Sequence, residues 1–192
     1  MTTGRPYHHG DLRRAVLAAA LDVVASDGIG AISLRDLARR AGVSHAAPAH
    51  HFGDKTGLLT AIAAEGYGLL ADALAEVVPG DLDALRELGV RYVLFALAHP
   101  AHFEVMNRPH AIDGTDPELL RQRARAGASL RGGVAGVPAE RRGDPDQAVL
   151  AAWSLAHGYA ALHLSGGIPA AADPGATFRV MAGMLFAGPV EG

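Results

Sequence analysis

The spacing of apolar residues predicts helices along the whole chain and no strand-like alternation. In the first helix, Leu12, Val16, Ala19, Ala20 and Val23 recur at i, i+4, i+7 and i+8 and form one apolar stripe. Later segments repeat the same period, separated by glycine, proline and aspartate. The predicted helices cover about 11–26, 33–41, 44–51, 54–78, 81–99, 101–107, 117–131, 145–165 and 175–188, with 132–144 a surface connection.

The stretch 33–55 predicts a pair of short helices joined by a tight turn. Ser33 is suited to cap the first helix, and Asp36 follows at capping-box spacing. Gly42 suits the left-handed end of that helix, and Ser44 is predicted to cap the second. The second helix has few large apolar residues before Phe52, and we expect its proline, Pro48, to tighten its first turn. This helix can therefore bury little of its surface. A short helix, a glycine-containing turn and an exposed second helix are typical of a helix-turn-helix whose second helix enters the DNA major groove.

Residues 9–59 resemble the DNA-binding domain of tetracycline-repressor-type (TetR/AcrR) transcriptional regulators. The matching pieces are Gly10–Ser26, Asp27-Gly28, Ser33–Ala38, Ala41–Ser44, His51-Phe52, Lys55 and Leu58-Leu59. Ala49 departs from the pattern, since the family often has a phosphate-contacting tyrosine at that position. Farther along, Trp153, His157 and Gly158 resemble the tryptophan-histidine-glycine type of effector domain in these regulators.

The resemblance implies an all-α protein with an N-terminal helix-turn-helix domain, residues 1–55 with its motif at 33–52, and a C-terminal helical-bundle domain for effector binding and dimerisation, residues 56–192. It further implies a homodimeric repressor that a ligand releases from a near-palindromic operator, with the two recognition helices one or more turns of DNA apart.

Candidate DNA contacts concentrate in the second helix and its flanks. Histidines there can donate to bases or phosphates, and alanine methyls can touch thymine methyls. Lys55 suits a phosphate contact, although it could also be an ordinary surface lysine. Arg5 could reach the DNA from a flexible arm or belong to an unstructured tail. The candidates are Arg5, Ser33, Arg35, Ser44, His45, Ala46, Ala47, His50, His51 and Lys55.

Two uses compete for the apolar faces of the C-terminal half. Aromatic residues with polar tips suit a pocket for a small apolar effector, although they could equally be ordinary core. The pocket candidates are Tyr92, Phe95, Phe103, Met106, Trp153 and His157. The resemblance implies that the last two helices pair with their copies in the dimer. The interface candidates are Ala148, Ala152, Leu155, Tyr159, Leu162, Phe178, Met181, Leu185 and Phe186.

Composition and charge refine these expectations. Hydrophobic residues make up 49% and charged residues 19% of the chain, so we expect a second subunit or a ligand to cover apolar surface. The net charge of −3 is unevenly distributed: residues 1–60 carry seven Lys and Arg against five Asp and Glu, and the remainder ten against fifteen. This asymmetry indicates that one end meets phosphates.

Several classes of function are disfavoured. The absence of cysteine excludes disulfides, thiolate metal sites and thiol nucleophiles. No histidine cluster has metal-ligand geometry, and no residue set resembles a catalytic site, so we expect no cofactor, no metal and no enzyme activity. The chain begins without the apolar core of a secretory signal and lacks an uninterrupted apolar run of roughly 20 residues, which predicts a cytoplasmic protein.

One alternative from a different class stays open. The chain could be a small-molecule sensor whose helix-turn-helix serves mainly protein contacts, as the missing tyrosine and the alanine-rich second helix would allow. Salt dependence separates the two, because phosphate contacts require affinity to fall steeply with salt.

Overall fold

The computed structural model describes residues 9–78 and 80–184, with side chains from Leu12 onward. This part of the chain contains ten α-helices, two 3-10 turns and no strand, so the all-α prediction is confirmed. The helices are α1 His9–Asp27, α2 Leu34–Arg40, α3 Ala47–Phe52, α4 Lys55–Ala75, α5 Leu82–Ala98, α6 Pro100–Met106, α7 Pro117–Ala135, α8 Ala139–Arg142, α9 Pro145–Leu164 and α10 Pro174–Ala182. The 3-10 turns span Ile29–Ala31 and Pro109–Ala111.

The chain packs as two compact units. The first unit contains the described residues up to Glu65 together with Ala101–Leu119, and the second contains Gly66–Pro100 and the described residues from Leu120 onward. Helix α4 therefore contributes its first half to one unit and its second half to the other. The functional division into 1–55 and 56–192 stays a prediction.

The core of the first unit joins α1, α2 and the first half of α4. Val16, Leu37, Leu58 and Ile62 are completely buried there. The segment Ala101–Leu119 also contacts α4 in this unit. The backbone N–H of Asp113 donates to the Thr60 hydroxyl over 2.8 Å. Burying apolar surface from three helices stabilises short elements that could not fold alone.

The core of the second unit lies between α5, α9 and α10. It includes Val93, Tyr159 and Phe178, all buried, with the rings of Tyr159 and Phe178 5.7 Å apart. Helix α5 approaches α10 closely at Gly89, where a Cβ atom would lie 2.5 Å from the Phe178 ring. A larger residue at this position would force the buried Phe178 ring to move.

Aspartate caps begin most of the longer helices. The Asp144 carboxylate accepts from the N–H of Gln147 over 2.9 Å, and that of Asp173 from Ala176 over 2.8 Å. A proline follows each of these two caps, where no intrahelical N–H donor is needed. The side chain of Asp81 caps α5 in the same manner.

The prediction of a surface connection over 132–144 was wrong. Helix α7 continues to Ala135, a short helix forms at Ala139–Arg142, and Val134 and Val137 are buried. Glycine here reflects close packing, because a Cβ atom at Gly133 would lie 2.4 Å from Leu88. Two other ends differ: α4 stops at Ala75 instead of about 78, and the predicted end of the last helix at 188 lies outside the described residues.

By length and composition alone, α4 is apolar enough to cross a membrane. Its apolar residues are instead used in packing, with Leu58, Leu59 and Ile62 essentially inaccessible to solvent. A buried core helix has the same composition as a membrane span, so the feature is weak evidence for one.

Candidate nucleic-acid interface

The turn between α2 and α3 forms as the sequence predicts. The Ser33 hydroxyl accepts from the N–H of Asp36 at 3.5 Å and caps α2. At the other end Gly42 has φ +66°, and the N–H of Val43 donates to the Ala38 carbonyl over 3.0 Å. This is the glycine-terminated helix end that reverses the chain within a few residues.

The predicted start of the second helix at Ser44 was wrong. Helix α3 begins at Ala47, and its N-cap position, Ala46, provides no side-chain hydrogen bond. The cause is Pro48, which has no N–H to donate back to the Ser44 carbonyl; the N–H of Ala47 donates there instead, over 3.0 Å. The result is a tight turn followed by a short helix with its proline in the first turn, and Ser44 is not a helix cap.

We call residues 44–52 the recognition segment. Its exposed residues are Ser44, His45, Ala46, Ala49 and His50. Ala47 and His51, two of the predicted DNA contacts, are half-buried, and Pro48 is buried and anchors the segment to the core. Of the flanking candidates, Ser33 and Arg35 are exposed, Lys55 is half-buried, and Arg5 lies outside the described residues.

Two cationic side chains, Arg13 and Lys55, make contacts at the C-terminal end of the recognition segment and at the start of α4. The Arg13 guanidinium of α1 lies 5.8 Å from the centre of the Phe52 ring, an attractive cation–π distance. The Lys55 ammonium donates to the carbonyl of Gly30 over 3.3 Å and ties the start of α4 to the 3-10 turn after α1. Lys55 therefore has a structural contact as well as its predicted contact with phosphate.

Gly57 allows the end of the recognition segment to lie close to α4, a role that was not predicted from the sequence. A Cβ atom at this position would lie 1.9 Å from the carbonyl oxygen of Phe52, the last residue of α3. The N–H of Gly57 also donates to the Asp54 carboxylate over 2.9 Å, so Asp54 caps α4. The signal available in the sequence was a glycine inside the first turn of a helix, where no turn requires one.

Charge near the recognition segment is partly neutralised within α2. The Asp36 carboxylate accepts from both Arg39 and Arg40, the latter over 2.8 Å. These hydrogen bonds hold the pKa of Asp36 below its ordinary value. Arg35 is exposed and Lys55 half-buried beside the segment, and both can supply positive charge to a polyanion.

In the second unit, three of the predicted pocket residues lie together. The Tyr92 hydroxyl is 2.9 Å from His157 Nδ1, and the Trp153 and His157 rings are 5.6 Å apart. Burial raises the pKa of Tyr92 to about 12, against the opposing effect of a hydrogen bond with Trp153. Burial also lowers the pKa of His157, so both groups favour their neutral forms.

The other pocket candidates are placed differently. Trp153 is 47% exposed, so it is not the core residue that one interpretation of the sequence expected. Phe95 is buried in the second unit, whereas Phe103 and Met106 are buried in the first.

A shallow apolar groove of about 450 Å³ runs along α9 and α10 in the second unit. Among the predicted interface residues, Leu155, Leu162 and Met181 line it, and Leu162 is 49% exposed. Tyr159 also borders the groove but is buried with Phe178 in the core. Ala148 is buried and Ala152 is half-buried. Leu185 and Phe186 lie outside the described residues.

No group of three or more histidine, aspartate or glutamate side chains within the described ranges is arranged to hold a metal ion. The absence of a cofactor stays a prediction.

This chain is similar to known proteins over most of its length. Residues 16–62 match the family model of bacterial regulatory proteins, tetR family, and residues 85–185 match the model of the tetracyclin repressor-like C-terminal domain. Among curated proteins, none matches this sequence.

Three solved structures illustrate the similarity. A protein of unknown function from Rhodococcus sp. RHA1 is 33% identical, with 95% of this chain and 97% of that chain covered and a TM-score of 0.78. A tetR-family bacterial regulatory protein from Rhodococcus RHA1 is 21% identical, with 91% and 95% covered and a TM-score of 0.72. The TetR family transcriptional regulator PfmR from Thermus thermophilus is 23% identical, with 92% and 99% covered and a TM-score of 0.69. The last two likenesses establish the fold alone.

Proposed function

Because this chain belongs to the tetR family of bacterial regulatory proteins, we propose that it is a cytoplasmic homodimeric repressor without enzyme activity, which binds a near-palindromic operator and is released by a small apolar effector. The observation that carries the DNA-binding part is the recognition segment. It exposes His45, Ala46 and His50 while Pro48 and Phe52 hold it to the first unit. An exposed helix fixed on a packed support is what base recognition requires.

Selection of duplexes from a random-sequence library by the purified protein tests DNA binding. We expect enrichment of a near-palindrome and an affinity that falls steeply with salt. Lys55→Ala should weaken binding to selected and random duplexes alike, with the slope of log K against log salt shallower by about 0.9. Arg108→Ala, which removes another exposed cation of the first unit, should leave the slope unchanged. A protein that enriches no sequence and binds no duplex at low salt would instead support a sensor using this segment for protein contacts.

The α9–α10 groove supports the homodimer. Its lining is almost wholly apolar, and Val180 and Met184, on and just after α10, are exposed by 70% and 77%. A contiguous apolar surface of this kind is unusual on a monomer and suits a second copy packed about a twofold axis. Ala152 and Gly158 on α9 are small enough to let a helix approach closely.

Leu162→Glu tests the dimer. The substitution places one charge from each subunit in the interface, so we expect the dimer to dissociate on dilution in sedimentation or light-scattering measurements. Leu120→Glu is the matched control, since Leu120 is 46% exposed on α7 and lies outside the groove. If wild type is a monomer at working concentrations, or Leu162→Glu dissociates no more readily than the control, this interface is wrong.

The Tyr92–Trp153–His157 cluster supports the effector site. It offers neutral hydrogen-bonding groups and an aromatic surface, which suit an uncharged, largely apolar molecule. Release from DNA would follow if the ligand binds more tightly to a conformation with low DNA affinity, and DNA would then weaken ligand binding by the same factor.

The single tryptophan of the chain makes this site observable. Apolar compounds that displace DNA should change the fluorescence of Trp153, and Tyr92→Phe should weaken their binding by removing one hydrogen-bonding group. If effective compounds leave Trp153 fluorescence unchanged and bind Tyr92→Phe as tightly as wild type, the effector site lies elsewhere.

A further inference from the structure

The charge of the recognition segment and the residues on either side of it depends on histidine protonation. Residues 41–53, AGVSHAAPAHHFG, contain no aspartate, glutamate, lysine or arginine, and their ionisable side chains are His45, His50 and His51. A neutral imidazole can donate one hydrogen bond to a phosphate, whereas the protonated form also neutralises its charge. The electrostatic contribution of this region to DNA binding is therefore set by how many of its imidazoles carry a proton.

The structure separates the three histidines by exposure. His45 lies in the turn before α3 and His50 lies on α3, and both are exposed. His51 is half-buried, with its ring 6.3 Å from Phe52 and edge-on to His50 at 5.5 Å. His45 and His50 are consequently the two imidazoles that a duplex could reach without rearrangement of the segment.

The charged residues on adjoining stretches of α1, α2 and α4 are Arg13, Arg14, Arg35, Asp36, Arg39, Arg40, Asp54 and Lys55. The two carboxylates in this set have partners of their own. Asp36 accepts from Arg39 and Arg40, and Asp54 accepts from the N–H of Gly57. With Asp11, Asp22 and Asp27 of α1 included, the count is six Lys and Arg against five Asp. DNA phosphates would add negative charge.

We propose that binding of DNA by this protein takes up protons at His45 and His50, so that affinity for DNA rises as the pH falls through the range in which imidazoles titrate. This inference rests on the proposed DNA-binding function. The direction follows from linkage: a phosphate favours the protonated imidazole, so the complex binds more protons than the free protein and DNA. Histidine is the side chain whose charge ordinarily changes between about pH 5 and 8.

The test measures affinity at about pH 8 and about pH 6 over a range of salt concentrations. The probes are a duplex selected by the protein at neutral pH and a random duplex of equal length. Wild type should bind the selected duplex up to about tenfold more tightly per histidine at the lower pH, since a tenfold change corresponds to a shift of one pKa unit. The salt slope should steepen by up to about 0.9 for each imidazolium that contacts a phosphate.

A double variant, His45→Gln with His50→Gln, should lose both effects, because glutamine keeps a hydrogen-bond donor but cannot be protonated. His110→Gln is the matched control, since His110 is exposed in the first unit and lies outside the recognition segment; it should keep the wild-type pH dependence. Circular dichroism at both pH values confirms that each variant is folded.

The outcomes separate this inference from the function it rests on. Wild type that binds the selected duplex with the same affinity and salt slope at both pH values overturns the inference while leaving DNA binding intact. So does a double variant that keeps the wild-type pH dependence. Absence of DNA binding at either pH overturns the proposed function, and this inference with it.

Discussion

Replacement of Gly57 by alanine tests whether α4 positions the recognition segment. The added Cβ atom would lie 1.9 Å from the Phe52 carbonyl oxygen, where non-bonded heavy atoms need roughly 3.5 Å. The obstacle is backbone, so no side-chain rotation relieves it, and α3 and α4 must separate by more than about 1 Å. Overpacking of this kind costs about 3 kcal/mol, against a gain of about 1 kcal/mol in helix propensity. We expect a net loss of about 2 kcal/mol in the free energy of unfolding.

Gly68→Ala provides a control on the same helix. Its Cβ atom would lie 3.5 Å from the Gln122 side chain, an ordinary contact, so only the gain of about 1 kcal/mol remains. The two variants should therefore differ by about 3 kcal/mol, or about 1.5 M in urea midpoint for a slope of about 2 kcal/mol/M. Urea unfolding followed by far-ultraviolet circular dichroism measures this difference.

The same two variants separate stability from function. Under conditions in which both are folded, Gly57→Ala should bind a selected duplex at least about tenfold more weakly, a loss of about 1.4 kcal/mol, because the recognition segment has moved. Gly68→Ala should bind like wild type. Equal stability of the two variants, together with wild-type affinity of Gly57→Ala, would show that the close approach of α4 to Phe52 has no bearing on recognition.

Two further predictions concern the packing of each unit. Trp153→Ala should reduce the free energy of unfolding by about 2 kcal/mol, about half the cost for a core tryptophan, because Trp153 is 47% exposed; a loss above about 4 kcal/mol in urea titration would contradict that placement. The His102 imidazole, whose Nε2 lies 3.5 Å from a carboxylate oxygen of Glu65, holds the pKa of Glu65 below its ordinary value despite partial burial. This stabilisation is present above the ordinary pKa and is lost as the pH falls through the lowered one. The melting temperature of wild type should thus fall more steeply than that of Glu65→Gln between about pH 5 and 3, and parallel curves for the two proteins would refute the contribution of this pair.

Local signals along the sequence predicted the architecture well. Apolar periodicity located the principal helices, and Ser33, Asp54, Asp81, Asp144 and Asp173 marked where several begin. These features could be predicted because a capping side chain and the N–H from which it accepts lie only two or three residues apart in the sequence.

The errors have two causes. Gly133 was placed in a surface connection and Gly57 was given no role, yet Gly133 packs against Leu88 and Gly57 lies against the carbonyl of Phe52. Trp153 was assigned to a core or cavity on its size alone, and its exposure depends on which helices surround α9. Ser44 was a plausible cap, but Pro48 displaced the helix start to Ala47. The contacts of Gly133 and Trp153 involve residues distant in sequence, whereas Pro48 and Phe52 lie within five residues of Ser44 and Gly57 and their effect was underestimated.

The linear order of residues was sufficient for the all-α class, the helix-turn-helix and the family to which the chain belongs, because hydrogen-bonded turns, caps and apolar stripes are short-range properties. The folded arrangement was needed to show that Tyr92 meets His157 across 65 positions, that Lys55 bonds the Gly30 carbonyl, and that α9 and α10 leave an apolar groove open to solvent. Such features depend on which helix faces pack against each other, and that choice minimises exposed apolar area over a whole unit at once.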